Sequence, residues 1–224
     1  SILDTSMQGS YNVSSSKNID LVFAKKYLIP IQQIIGFNIG PVPNMEITGV
    51  GNINIKTKGS LFDPQVFGEF SANNATASIK NINTTLTKGY CKLVFDNRTV
   101  RLKDVRGKIN NADFTLKGSG NTKGELKLEA LIGNIPLNNL LEIFNETIIT
   151  KEFSKITKNI SATSGKADVD LILEGVVLNN NYEDSEFFKY LNPSGKLTLK
   201  NNKIALKNQI KAEKIRGTID FGKE

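Results

Sequence analysis

Asp168 and Asp170 are the closest approach to a catalytic pair in this chain, two carboxylates two positions apart. Such a pair could serve glycoside hydrolysis or hold a divalent cation. They sit, however, in Gly165-Lys-Ala-Asp-Val-Asp-Leu-Ile-Leu-Glu-Gly175, where Val169, Leu171 and Leu173 alternate with them. Successive residues of a strand face opposite sides, so the aspartates belong to the solvent side and the aliphatic residues to the other. Glu183-Asp-Ser-Glu186 is a second acidic cluster, but its spacing is not that of a calcium loop. Gly118-Ser-Gly120 is too short for a phosphate loop and leads into strand-like sequence rather than a helix. The chain has one cysteine, Cys91, and no histidine. Histidine triads, His-rich zinc sites, an internal disulfide and a cysteine zinc cluster are therefore excluded. Cys91 itself reads as a small buried hydrophobe. No nucleophile has a base at a useful spacing, so the expectation is a non-enzyme that uses no cofactor and no metal.

Charge narrows the partners. The chain carries 29 Lys and Arg against 22 Asp and Glu, a formal net charge of +7 over 224 residues. Most basic residues are single lysines in the polar gaps of strands, and the arginines are Arg98, Arg101, Arg106 and Arg216 alone. No basic block is interleaved with aromatics, so no nucleic-acid partner is expected. Attraction to anionic lipid headgroups is compatible with this charge without being implied by it.

What the chain does contain is alternation. Around Gly107–Gly120 the apolar residues fall in short period-2 runs with Lys, Arg, Asp, Asn and Thr between them, the mark of half-buried antiparallel strands. One row of each strand gives a candidate apolar surface: Ile53, Ile55, Leu93, Phe95, Val100, Leu102, Ile109, Phe114, Leu116, Leu126 and Leu128, continued by Val169, Leu171, Leu173, Leu197, Leu199, Ile204, Leu206, Ile219 and Phe221. A face this broad must leave water, at roughly 25 cal/mol per Å². A second sheet, curling of the sheet on itself, or an apolar ligand would each satisfy it, and periodicity is the same in all three cases.

The supporting elements read as strands at roughly 68–72, 75–80, 84–87, 90–96, 99–103, 105–109, 112–118 and 124–130, with hairpins at Asp96-Asn97 and Asn110-Asn111. Asp63-Pro64 reads as a turn or bulge, since proline cannot donate within a central ladder. Two Pro-started apolar stretches match each other, Ile29-Pro-Ile-Gln-Gln-Ile-Ile-Gly-Phe37 and Ile135-Pro-Leu-Asn-Asn-Leu-Leu-Glu-Ile-Phe144. Each reads as a short helix introducing a strand-rich unit. The expected organisation is a first unit over 1–130 with its helix near 30–36 and a second, truncated unit over 131–224 with its helix near 136–145. Repeats of this kind point to an elongated architecture. Both ends of the chain look cut from a longer protein, and no apolar run reaches the roughly 20 residues of a spanning helix.

Two elements carry a family resemblance. Gly59-Ser-Leu-Phe-Asp-Pro-Gln-Val-Phe-Gly-Glu-Phe-Ser-Ala-Asn-Asn-Ala75 resembles the recurring "G…DP.v.G….a…A" element of the AsmA-like superfamily, which includes the TamB and YhdP-type proteins. Leu93–Gly120 is similar to the same group's "f….v.l.dl.G…..f.l.G.G" element. Asn192-Pro-Ser-Gly195 departs from the pattern, standing where Asp-Pro would be expected in the second unit. The resemblance implies a mainly β fold, a long curved antiparallel sheet enclosing a groove (a β-taco). It implies a periplasmic lipid-transport role in the cell envelope of a Gram-negative bacterium, as part of a chain anchored in the inner membrane outside these residues. The partner would be phospholipid or another acyl-chain lipid. The competing expectation is a bacterial surface or adhesin-like β-solenoid interaction module, which the Asn, Thr and Gly content and the repeats would also suit.

Overall fold

The computed structural model describes residues 9–13, 45–60, 63–79, 84–146, 159–176, 190–207 and 210–222. They form one elongated, mainly β molecule: a ten-stranded antiparallel sheet and one short helix. The strands are β1 (Gly9–Val13), β2 (Met45–Ser60), β3 (Asp63–Ile79), β4 (Thr84–Asp96), β5 (Thr99–Ile109), β6 (Ala112–Asn121), β7 (Glu125–Pro136), β8 (Ile160–Val176), β9 (Leu191–Leu206) and β10 (Lys211–Phe221). Their order across the sheet is their order in the chain. At the usual strand spacing of about 4.8 Å, the sheet is roughly 43 Å broad. This is a meander, in which consecutive strands pair antiparallel, and not the coil-on-coil stacking of a parallel β-solenoid.

Asparagine makes the meander possible. Six of the eight non-glycine residues with positive φ among the described residues are asparagines: Asn74, Asn97, Asn110, Asn111, Asn134 and Asn201. Asn tolerates this region because its short polar side chain bonds locally. Asn110 and Asn111, at φ 46° and 67°, form the two-residue turn that joins Ile109 to Ala112, as type I′ geometry requires. Asn97 opens the turn between Asp96 and Thr99.

The remaining positive-φ residues mark bulges. Several strands are longer than the alternation indicates, because a break in period 2 is a bulge and not an end. The stretch 68–72 and the described part of 75–80, which runs to Ile79, both belong to β3, 84–87 and 90–96 to β4, and 99–103 and 105–109 to β5. Register shifts fall at those joints, between Ala72 and Ala75, Thr87 and Tyr90, and Leu102 and Val105. Asp63 and Pro64 are not a turn or bulge but the first residues of β3, opposite Ser60 and Gly59, and at the start of a strand a missing donor is least costly.

The helix α1 (Leu137–Glu146) follows β7 without a linker, so Pro136 ends the strand instead of sitting inside the helix. Leu137, Leu140 and Leu141 recur at helical spacing and lie on β7 and β8. Beneath them the main core gathers Ile135, Ala112, Ala167, Val169 and Leu197. The segment near 30–36 lies outside the described residues. The expected unit boundary at 130/131 falls within β7, which is hydrogen-bonded to β6 and β8, so the sheet is continuous across it. No helix among the described residues is long and apolar enough to cross a membrane.

Candidate functional site: one apolar face

Register decides which residues share a side. Phe95 pairs with Val100, Val100 with Gly120, Gly120 with Leu126 and Leu126 with Gly175. A second line runs from Ile53 through Phe70, Leu93, Leu102, Gly118 and Leu128 to Leu173. Directly opposite residues in an antiparallel ladder face the same way. Followed through every bulge, the ladders place all twenty sequence-selected residues on one face, from Ile53 and Ile55 on β2 to Ile219 and Phe221 on β10.

The two halves of that face differ. At one end α1 roofs it, and Val169 and Leu197 are buried core residues packed beneath the helix. Leu171, Leu199, Ile204 and Phe221 pack against the same cluster. Leu173 is buried with Leu191 beside Leu126 and Leu128. Across β3–β7, Phe70, Leu93, Phe95, Leu102, Ile109, Phe114, Leu116, Leu126 and Leu128 are only half-buried, whereas Val100 is buried at 5% exposure. Each of these strands packs against its neighbours in the sheet, and among the described residues there is no second sheet above them.

Sequence reasoning missed several members of the face. Phe70, Cys91 and Val105 lie on it through their pairing with Leu93, Val105 and Leu116. Phe70 could have been found from its alternation with Gly68 and Ala72. Val105 begins the period-2 run of Gly107 and Ile109, but its step of three from Leu102 keeps it off the candidate row. Asn202 is the unexpected one: it is fully buried on this side, and its Nδ2 donates to the Lys166 carbonyl at 3.0 Å. Cys91 packs beside Ala72 and Ala75; burial, and secondarily the charge of Asp104, pushes its thiol up to about 11.

Glycines on the face mark close approach. A Cβ at Gly118 would run into the Lys127 carbonyl and Leu128, and one at Gly195 into the Asp170 carbonyl. At Gly107 the Thr87 carbonyl would lie 2.9 Å away.

The opposite face is wet and paired. Lys92 meets Glu69 at 2.9 Å, Lys108 meets Asp113 at 2.9 Å and Lys127 meets Glu174 at 3.0 Å. Arg106 lies 4.8 Å from the centre of the Tyr90 ring. Exposed pairs of this kind are worth about 0–1 kcal/mol each. Asp168 and Asp170 are here, in a shallow cleft of about 350 Å³ with Leu131, Asn134, Lys196 and Lys200. Asp168 accepts from the Asn134 N–H at 2.8 Å and is ion-paired with Lys200. Partial desolvation opposes its charge, but the hydrogen bonds from Lys200 and Asn134 and the Lys200 charge outweigh that and hold it below the ordinary carboxylate range. No group of three or more potential metal ligands occurs among the described residues. Glu183–Glu186 lies outside them.

Comparison of the chain with protein-family models, curated proteins and solved structures finds no match. The class is therefore defined by geometry alone: a single-layer antiparallel meander with one apolar face, capped at one end by a helix.

Proposed function

We propose that this chain is a lipid-shielding module, whose half-buried apolar strip across β3–β7 accepts the acyl chains of phospholipid. The observation that carries the reading is the alignment of apolar rows from successive strands into one strip beside the helix-roofed core. Close approaches at Gly107, Gly118 and Gly195 all occur on the apolar side, which supports a sheet bent toward that side into a groove. Uniform contacts with Leu, Val and Phe would hold a chain without a fixed stop, so lipid could slide across the strands while headgroups stay at the rim. The sequence resemblance to AsmA-like proteins extends this to a bridge-like conduit in the periplasm, part of an inner-membrane-anchored chain passing phospholipid toward the outer membrane.

The test is native mass spectrometry with organic extraction of the purified chain. The expected result is co-purifying phospholipid that is strongly reduced in a Leu102→Glu, Phe114→Glu double variant. A folded, lipid-free chain that also fails to take up phospholipid from vesicles would overturn the proposal.

A further inference from the structure

We propose that the shallow cleft around Asp168 and Asp170 on the wet face is a binding site for a neutral sugar, one hexose unit in size. Its volume of about 350 Å³ falls within the range of small-molecule sites. All of its lining residues belong to β7, β8 and β9, in the interior of the sheet, with β6 and β10 on either side. The proposal does not depend on the acyl-chain reading, which concerns the opposite face.

The ladders set the groups of the cleft on a grid. Leu131 stands opposite Asp170 and Asp170 opposite Lys196, so one row runs apolar, acidic, basic across three strands. Two residues along β8, Asp168 stands opposite Thr198. The rows are about 7 Å apart and the strands about 4.8 Å apart. The second row is fixed by its own bonds. The bulge between Ile132 and Ile135 brings the Asn134 N–H to Asp168 at 2.8 Å, and Lys200 reaches both Asp168 and, at 3.0 Å, the Asn134 Oδ1. A wall whose donors and acceptors are already held loses little freedom when a ligand arrives.

Charge balance names the ligand class. Two carboxylates and two ammonium groups leave the cleft without net charge. Lys200 is committed to Asp168, and Lys196 lies 3.8 Å from Asp220, so a charged ligand would have to displace a partner. Hydroxyls need not: each can donate to a carboxylate or accept from an ammonium, and a vicinal pair does both at once. Asp170 has capacity to spare, being exposed and, among the described residues, without a hydrogen-bond or ion-pair partner. Leu131 matches the other part of a sugar, the C–H face of its ring. It follows Glu125, Lys127 and Glu129 on the wet side of β7, yet is aliphatic and 52% exposed. Beside it Gly133 leaves room, with nothing within 4 Å of where a Cβ would stand.

Titration of the full, ¹⁵N-labelled chain with glucose, galactose, mannose and N-acetylglucosamine, followed by amide correlation spectra, tests it. At least one of the four is expected to move the Gly133, Asn134 and Asp170 resonances and to saturate with a Kd of about 1–10 mM. Asp170→Ala and Leu131→Asp alter exposed side chains, and each should weaken binding by about fivefold or more while the rest of the spectrum keeps its folded dispersion. The proposal is overturned if no hexose moves these resonances at about 100 mM, or if both variants bind as the parent does. Equal shifts from sodium phosphate or ethanolamine at the same concentration would overturn it as well, by showing a site for charge.

Discussion

Leu102 and Val105 face the same side of the sheet although they stand three positions apart, because Leu102 is opposite Gly118 and Val105 is opposite Leu116. An extra residue in β5 keeps the apolar row in step across the bulge. The same i, i+3 step joins Ala72 to Ala75 and Ile132 to Ile135. Deleting Lys103 should therefore restore plain alternation and cost less than about 1.5 kcal/mol. Deleting Thr115 from the unbulged run of β6 should turn part of that strand over and cost about 3 kcal/mol or more. Urea unfolding midpoints of the two deletions read the difference.

The roofed and unroofed ends of the apolar face should respond differently to truncation. Leu140, on the sheet-facing side of α1, is 1% exposed, and Leu140→Ala is expected to cost about 2–5 kcal/mol. Leu116 is half-buried in the open strip, and Leu116→Ala should cost about 1.5 kcal/mol or less. Equal losses in urea titrations would mean that the strip is packed as tightly as the core, against the lipid-shielding reading.

Gly118 and Gly133 form a matched pair of controls for close approach. A side chain at Gly118 meets the β7 backbone, whereas nothing lies within 4 Å of a Cβ at Gly133. Gly118→Val should destabilise by about 1–3 kcal/mol or more, and Gly133→Ala should stay within about 0.5 kcal/mol. Thermal unfolding of both variants is sufficient.

Asp168 gives a pH dependence with a definite sign. Its pKa is lowered in the folded chain, so the unfolded chain binds the proton more readily as pH falls. The stabilisation is present above the unfolded carboxylate pKa of about 3.9 and is lost as pH falls through the lower folded value. The melting-temperature advantage over Asp168→Asn should shrink over that window. Since Asp168 and Lys200 are both 41% exposed, high salt should reduce the advantage as well.

Cys91 should be a slow thiol. With its pKa near 11 instead of 9.0, its thiolate fraction at pH 8 is about 100-fold lower, and higher intrinsic nucleophilicity recovers only about tenfold of that. Reaction with a disulfide reagent should be about tenfold or more slower in the native chain than in urea. A native rate equal to the unfolded one would show that the thiol is not held in the sheet.

Much of this protein is written locally. A strand's side-chain period is a property of the backbone, so Val169, Leu171 and Leu173 separate from Asp168 and Asp170 without knowledge of any partner. The turn at Asn110-Asn111 is equally local, because few residues accept positive φ twice in succession. Amphipathic spacing in Leu137, Leu140 and Leu141 likewise marks α1. What alternation cannot carry is information about neighbours. Whether Leu102 and Val105 belong to one strand or two depended on Gly118 and Leu116 across the ladder. That Val169 and Leu197 lie under a helix while Leu116 does not depended on where α1 comes to rest. Burial is set by what packs above a side chain, and the sequence of a single strand does not encode its roof.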